Sequence, residues 1–153
     1  MIRNFSVDDI EGVNRIEALS FQAPWPSGFF RYLHGKAPGL FLVAVEDRDV
    51  VGYVVGELRE IMFSGVSHRY KMGHILNIAV DIKRRRIGVG TQLLREMENR
   101  FRVRNANKIT LEVRESNNAA RSFYKKRGYE DIGRVKGYYV NEDAVIMCRS
   151  LQT

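Results

Sequence analysis

The 153 residues are 44% hydrophobic and 28% charged, enough apolar content for one compact domain with a genuine core. Lys and Arg number 25 against 18 Asp and Glu, a formal charge of +7, so an anionic partner is expected: a phosphorylated cofactor, nucleic acid or a membrane surface. The single Cys148 excludes an intrachain disulfide, and His34, His68 and His74 show no metal-ligand spacing.

Residues 2–5 read as a short strand. Ser6 and Asp9 have the form of a capping box opening a helix, with Ile10, Val13, Ile16 and Leu19 on one side. The acidic stretch Asp8-Asp9-Ile10-Glu11 interrupts any signal-peptide pattern, and no apolar run approaches the ~20 residues of a membrane helix, so a cytoplasmic protein without membrane attachment is expected. Ala23-Pro24-Trp25-Pro26 breaks the chain, and Ser27 is placed to cap a second short helix through Phe29, Phe30 and Leu33. Residues 40–46 and 50–60 are rich in β-branched side chains and are joined by Asp47-Arg48-Asp49, which predicts an antiparallel hairpin. Gly52 and Gly56 within the second strand mark twist or a close backbone approach.

A polar loop at 64–69 precedes a third long strand at 71–80. From 88 to 103, Val89, Leu93, Leu94, Met97 and Phe101 recur at helical spacing. Residues 108–113 form a strand and 118–127 a helix ended by Gly128; two strands, 129–135 and 144–151, complete the order. Interleaved strands and helices without repeats or linkers predict an α/β or α+β single domain spanning 1–153 around a mixed sheet.

Between the third strand and the long helix lies Arg85-Arg86-Ile87-Gly88-Val89-Gly90, behind Lys83 and Arg84. Unpaired N–H groups and the positive end of a helix dipole meet there, and the glycines admit a bulky phosphate to the main chain. A dinucleotide fold requires a third glycine where Leu93 stands, and a nucleotide-triphosphate loop requires a lysine between Gly90 and Thr91. Both fail, which leaves a loop of the form Arg-x-x-Gly-x-Gly.

That form resembles the acyl-CoA binding motif of the GNAT superfamily of N-acetyltransferases. The resemblance extends upstream to Gly73-His74-Ile75-Leu76-Asn77-Ile78-Ala79-Val80 and downstream through Leu111-Glu112-Val113-Arg114-Glu115-Ser116-Asn117 to Tyr124 and Gly128-Tyr129, about half the chain in the family's order. It implies a twisted, mostly antiparallel sheet with a splayed parallel strand pair, flanked by about four helices. It also implies acetyl-CoA as donor. The backbone around Ile78, Ala79 and Val80 would line the pantetheine arm, with the Val80 amide as an oxyanion donor. Arg85, Arg86, Ile87, Gly88, Val89, Gly90 and Thr91 would hold the pyrophosphate, Asn117 would bond the pantetheine, and Lys125 or Arg127, beside Lys126, would reach the 3′-phosphate. Asn117 is equally suited to capping a helix, although Asn118 could serve there instead.

An amine attacks only when neutral, so a nearby carboxylate is useful. Glu112, in a Leu-Glu-Val-Arg pattern similar to that of ribosomal-protein N-terminal acetyltransferases, is the candidate base; Glu57 and Glu60 are alternatives that could act through water. The leaving thiolate needs a proton, and Tyr124 matches the family's general acid. Cys148 has no base beside it in sequence and reads as a buried strand residue.

Gly73-His74-Ile75 and the later Lys136-Gly137-Tyr138-Tyr139-Val140-Asn141-Glu142-Asp143 look most like archaeal and eukaryotic catalytic subunits that acetylate protein N-termini. That resemblance makes His74, Tyr138 and Tyr139 substrate-site residues. Trp25 belongs to the substrate-side loop, which looks closer to the bacterial ribosomal-protein alanine N-acetyltransferases, and Glu57 joins the acceptor site. Protein N-termini are the implied partner, with ribosome association compatible and oligomeric state open. The alternatives are a GNAT enzyme for lysine side chains or small amines, and a nucleic-acid-binding module suggested by Arg100-Phe101-Arg102-Val103-Arg104. Those arginines fall at a helix C-terminus, where cations are favoured in any case.

Overall fold

The computed structural model describes residues 1–21, 23–62, 69–85 and 87–151. Among them are β1 (Ile2–Asn4), α1 (Ile10–Ser20), α2 (Ser27–Lys36), β2 (Phe41–Glu46), β3 (Asp49–Met62), β4 (Arg69–Val80), α3 (Val89–Val103), β5 (Lys108–Arg114), α4 (Asn118–Lys125), β6 (Glu130–Tyr139) and β7 (Glu142–Ser150). The hydrogen-bonded strand order is β1-β2-β3-β4-β5-β7-β6. The chain forms two compact units, one of Met1–Glu57 with Leu76–Arg100 and the other of Leu58–Ile75 with Phe101–Thr153. Most of residues 64–69, read from sequence as a polar loop, lie outside the described residues; Arg69 already belongs to β4.

In the first unit β1 pairs antiparallel with β2 and β2 with β3. Asp47 and Arg48 both adopt positive φ, 50° and 70°, which matches the right-handed twist of a tight hairpin and confirms the turn expected there. Gly52 is explained by proximity: a Cβ on it would stand 3.0 Å from Leu93 Cδ1 and 3.2 Å from the Ala79 carbonyl oxygen. The core gathers Phe5, Val13, Ile16, Phe30, Phe41 and Tyr53. Phe5 stacks on Phe41 with ring centroids 4.1 Å apart.

Two local expectations change. The Ser6–Asp9 pairing exists, with the Ser6 N–H donating to Asp9 Oδ2 at 2.8 Å, but it opens a short 3-10 turn, Val7–Asp9, ahead of α1. Arg3 also donates to Asp9 and holds its carboxyl below the usual range, mainly through that hydrogen bond. The buried stripe of α1 is Val13, Ile16 and Glu17, while Leu19 is exposed. A carboxylate therefore occupies an i+4 position that an apolar residue would ordinarily fill. Ser27 is the first residue of α2, and Pro26 takes the cap position.

In the second unit β4 and β5 run parallel through Met72↔Lys108, Gly73↔Ile109, His74↔Thr110 and Ile75↔Leu111. Among the described residues these four pairs are the register they share, although β4 continues to Val80 and β5 to Arg114. The sheet is thus mixed and mostly antiparallel with one parallel pair. Gly73 lets the strand approach α3, since a Cβ there would lie 2.6 Å from the Phe101 ring. β5 pairs antiparallel with β7 over seven positions, and β7 pairs with β6. The last hairpin is longer than the sequence suggested, because β6 runs on to Tyr139 past an irregularity between Val135 and Tyr139, where Gly137 has φ 66°. α4 ends at Lys125, two residues early, and Gly128 at φ 91° carries the chain out of the turn.

Candidate active site

The alternation of side chains along a strand puts Thr110 and Glu112 of β5 on one face, and the parallel register sets His74 of β4 opposite Thr110. The consequence is a linked set. His74, 2% exposed, meets Thr110 Oγ1 through Nδ1 at 2.7 Å and Glu112 Oε2 through Nε2 at 2.7 Å. A carboxylate can only accept, so Nε2 carries the proton and, in the neutral ring, Nδ1 accepts the Thr110 O–H. Glu112 keeps a 19% exposed side chain, fixed at one oxygen by His74. The sequence singled out His74 and Glu112 separately but missed Thr110, whose part becomes visible only once the register of β4 on β5 is known.

Tyr124 lies in α4, its side chain buried and its ring edge-on to Phe123 and Tyr129 at centroid distances of 5.2 and 5.6 Å. Burial drives its phenol pKa up, with Tyr139 adding to the shift. Tyr139 is pushed up to about 12, first by burial and then by Tyr138 and Glu112, while Arg114, 4.2 Å over its ring, opposes. Tyr138 is raised by burial and by the Glu112 charge, against Arg59. Glu112 therefore shares one electrostatic neighbourhood with the tyrosine pair, and Tyr139 connects that pair to Tyr124. Arg59 and Arg114 are further members that no sequence motif marked.

These shifts have a consequence for stability. An unfolded tyrosine ionises near pH 10, whereas Tyr53, Tyr124 and Tyr139 bind their protons more tightly when folded. Their contribution is complete below about pH 10 and declines as the pH rises above it, because the unfolded chain then releases protons that the folded one retains. Thermal melts followed by circular dichroism should show a midpoint that falls steeply above about pH 10.

Other residues of the second unit serve local ends. Asn117 caps α4, its Oδ1 accepting the Ala120 N–H at 3.1 Å, so the capping alternative holds for Asn117 itself and not for Asn118. Its amide NH2 remains a donor group. Arg127 covers the Phe123 ring at 3.7 Å and donates to the Phe123 carbonyl, and Lys125 lies 3.9 Å from Asp131. Cys148 has its thiol pKa raised, chiefly by burial, and a thiol held protonated is a poor nucleophile.

In the first unit, β4 ends at Ile78, Ala79 and Val80, of which Ala79 is buried, and Arg85 Nε donates to the Val80 carbonyl at 3.2 Å. Ile87 is exposed, and Gly88 has φ 91° with nothing within 4 Å of the position a Cβ would take. Val89, Gly90 and Thr91 form the first turn of α3, and the Gln92 N–H donates to the Gly88 carbonyl at 3.0 Å. An open main chain ahead of a helix start, with Arg85 beside it, fits a pyrophosphate. Arg86 lies outside the described residues. Trp25 packs against the core, edge-on to Phe29 at 4.8 Å, and its N–H donates to Glu17 Oε2 at 2.9 Å. Glu57 lies 3.6 Å from Lys36 Nζ.

A family model described as acetyltransferase (GNAT) family matches residues 10–129. An N-alpha-acetyltransferase of Saccharolobus solfataricus is 38% identical over 159 residues, covering 98% of this chain and 92% of that protein. A putative ribosomal protein bS18 alanine N-acetyltransferase of Bacillus subtilis is 33% identical, covering 95% and 92%. The crystal structure of Ard1 from Thermoplasma volcanium superposes with a TM-score of 0.88 at 33% identity, covering 100% of this chain and 98% of that one.

Proposed function

Because this chain belongs to the acetyltransferase (GNAT) family, we propose that it transfers the acetyl group of acetyl-CoA to the N-terminal α-amino group of proteins, by direct attack of the amine on the thioester. The observation that carries the proposal is the bonded set Thr110–His74–Glu112 in the electrostatic neighbourhood of Tyr124, Tyr138 and Tyr139. One carboxylate, one protonated phenol and an aromatic pair supply a base, an acid and an acceptor surface. Relatives named for N-terminal substrates, at 33–38% identity over nearly the whole chain, support the α-amine as acceptor.

Glu112 takes a proton from the acceptor's ammonium, directly or through water, to give the neutral amine that attacks, while His74 and Thr110 hold its carboxylate in one orientation. An α-amine has a pKa near 8 and is about 10% neutral at pH 7, whereas a lysine near 10.4 is neutral below about 0.1% of the time, so a single carboxylate suffices for the former. Tyr124 gives its proton to the departing thiolate. The bare main chain at Gly88 and the start of α3 hold the pyrophosphate with Arg85 and Arg86, the backbone of Ile78 to Val80 lines the pantetheine, and the Asn117 amide bonds it. Lys125 and Arg127 contribute charge toward the 3′-phosphate. Tyr138 and Tyr139 of the second unit, and Trp25 and Glu57 of the first, are each assigned to acceptor binding. The whole span is one catalytic domain in this account, acting in the cytoplasm where N-termini emerge from ribosomes.

Mass spectrometry of products from acetyl-CoA and a mixed peptide panel tests the acceptor. Acetylation at α-amines is expected. Acetylation confined to lysine side chains or small amines would overturn the assignment.

A further inference from the structure

We infer that Glu17 is a positioning residue for the acceptor: its buried carboxylate pins the loop that carries Trp25 to Asn77 of β4. The inference rests on Trp25 lying on the acceptor side. Glu17 is 1% exposed, on the buried face of α1. Packing alone would require only an apolar side chain beside Val13 and Ile16, whereas a buried carboxylate is costly unless its oxygens are satisfied. Here they are. Oε2 accepts the Trp25 N–H at 2.9 Å, and Oε1 accepts Asn77 Nδ2 at 2.7 Å together with the Tyr53 O–H. Asn77 Nδ2 also donates to Tyr53 Oη at 3.1 Å, which closes the network.

The sequence makes the Trp25 bond decisive. In Pro24-Trp25-Pro26 the two prolines have no N–H, so Trp25 offers the only main-chain donor of the three, and Glu17 takes it. The same carboxylate holds Asn77, the residue immediately before the Ile78 to Val80 stretch. Loop and strand are thereby set by one side chain, and losing the anchor of an acceptor-side residue weakens acceptor binding in ground and transition state alike, which appears in KM and not in kcat. Glutamine in this position keeps the volume but offers one acceptor oxygen, and turns an amide donor toward at least one of the three donors.

Trp25 is the chain's single tryptophan and reports the loop directly. In Glu17→Gln its emission is expected to move to the red and its acrylamide quenching to rise about 2-fold. The peptide KM should rise about 10-fold, with kcat and the acetyl-CoA KM within about 2-fold of wild type. Tyr53→Phe, which removes one donor and spares the Trp25 bond, should leave quenching unchanged. In the wild-type protein the Trp25 amide should exchange at least about 100-fold more slowly than in a free peptide, a measurement independent of any variant's folding. Unchanged quenching and peptide KM in Glu17→Gln, or free-peptide exchange at the Trp25 amide, would overturn the inference. Wild-type protein that acetylates no peptide N-terminus, yet shows the protected amide and the quenching change, would refute the acceptor assignment and leave the pinning of the loop intact.

Discussion

Tyr124→Phe is expected to lower kcat about 100-fold while the dissociation constant for CoA changes by less than about 2-fold. The substitution removes a single hydroxyl and keeps the ring that packs on Phe123 and Tyr129, so neither α4 nor its neighbours need move. General acids contribute roughly 10²–10⁴-fold, and the lower end applies because a thiolate is a comparatively good leaving group that depends less on its proton than an alkoxide or amide would. Burial raises the phenol pKa, which keeps the proton on Tyr124 throughout the neutral range and also makes it a weaker acid, a second reason for the lower end. Stopped-flow detection of released thiol gives the rate, and calorimetry gives CoA affinity. Equal turnover in both proteins would remove Tyr124 as the acid and return it to the core.

The second large effect is expected at Glu112. Glu112→Gln should lower kcat/KM for an N-terminal peptide about 10²–10³-fold, because the amide cannot take up the proton that the acceptor's ammonium must lose. Glutamine can still accept from His74 Nε2 through its carbonyl oxygen, so the variant tests proton transfer with the geometry retained. Thr110→Val, by contrast, removes only the far end of the set and should cost about 10-fold or less. If the glutamine variant kept its activity, the proton would have to leave by a water path that does not involve Glu112, with Glu57 or Glu60 the next carboxylates to replace.

Much of this arrangement could be read from the chain before its structure was known. The hairpin at Asp47 and Arg48, the amphipathic α3 and the loop at Gly88 carry local signals, namely turn residues, period and glycine, that hardly depend on what surrounds them. Glu112 and Tyr124 are marked by their setting in a longer pattern; the structure gives the first a bond to His74 and buries the second in α4. What escaped was everything fixed by register. Thr110 is an unremarked β-branched residue until the β4–β5 pairing sets it beside His74. Glu17 reads as one more polar position on α1, and its burial follows from Tyr53 and Asn77, 36 and 60 residues away. Leu19 was assigned to the buried stripe by the same helical period, which cannot anticipate a carboxylate satisfied by three distant donors. Asn117 is the converse case: the capping duty that its place before α4 suggests is present, its Oδ1 accepting the Ala120 N–H.

The last strand in the sheet order raises a matter of self-recognition. Among the described residues β6 pairs with β7 alone and is exposed nearly along its length, so its outer edge faces any extended segment nearby. An enzyme that meets unfolded chain ends would be exposed to indiscriminate annealing along such an edge. Glu130, Asp131, Arg134 and Lys136 crowd it with charges of both signs, and the irregularities at Asp131/Gly133 and Val135/Tyr139 spoil a continuous ladder. The outer edge of β6 is thereby a poor template for annealing, and it stays closed to extended segments that would otherwise add to the sheet.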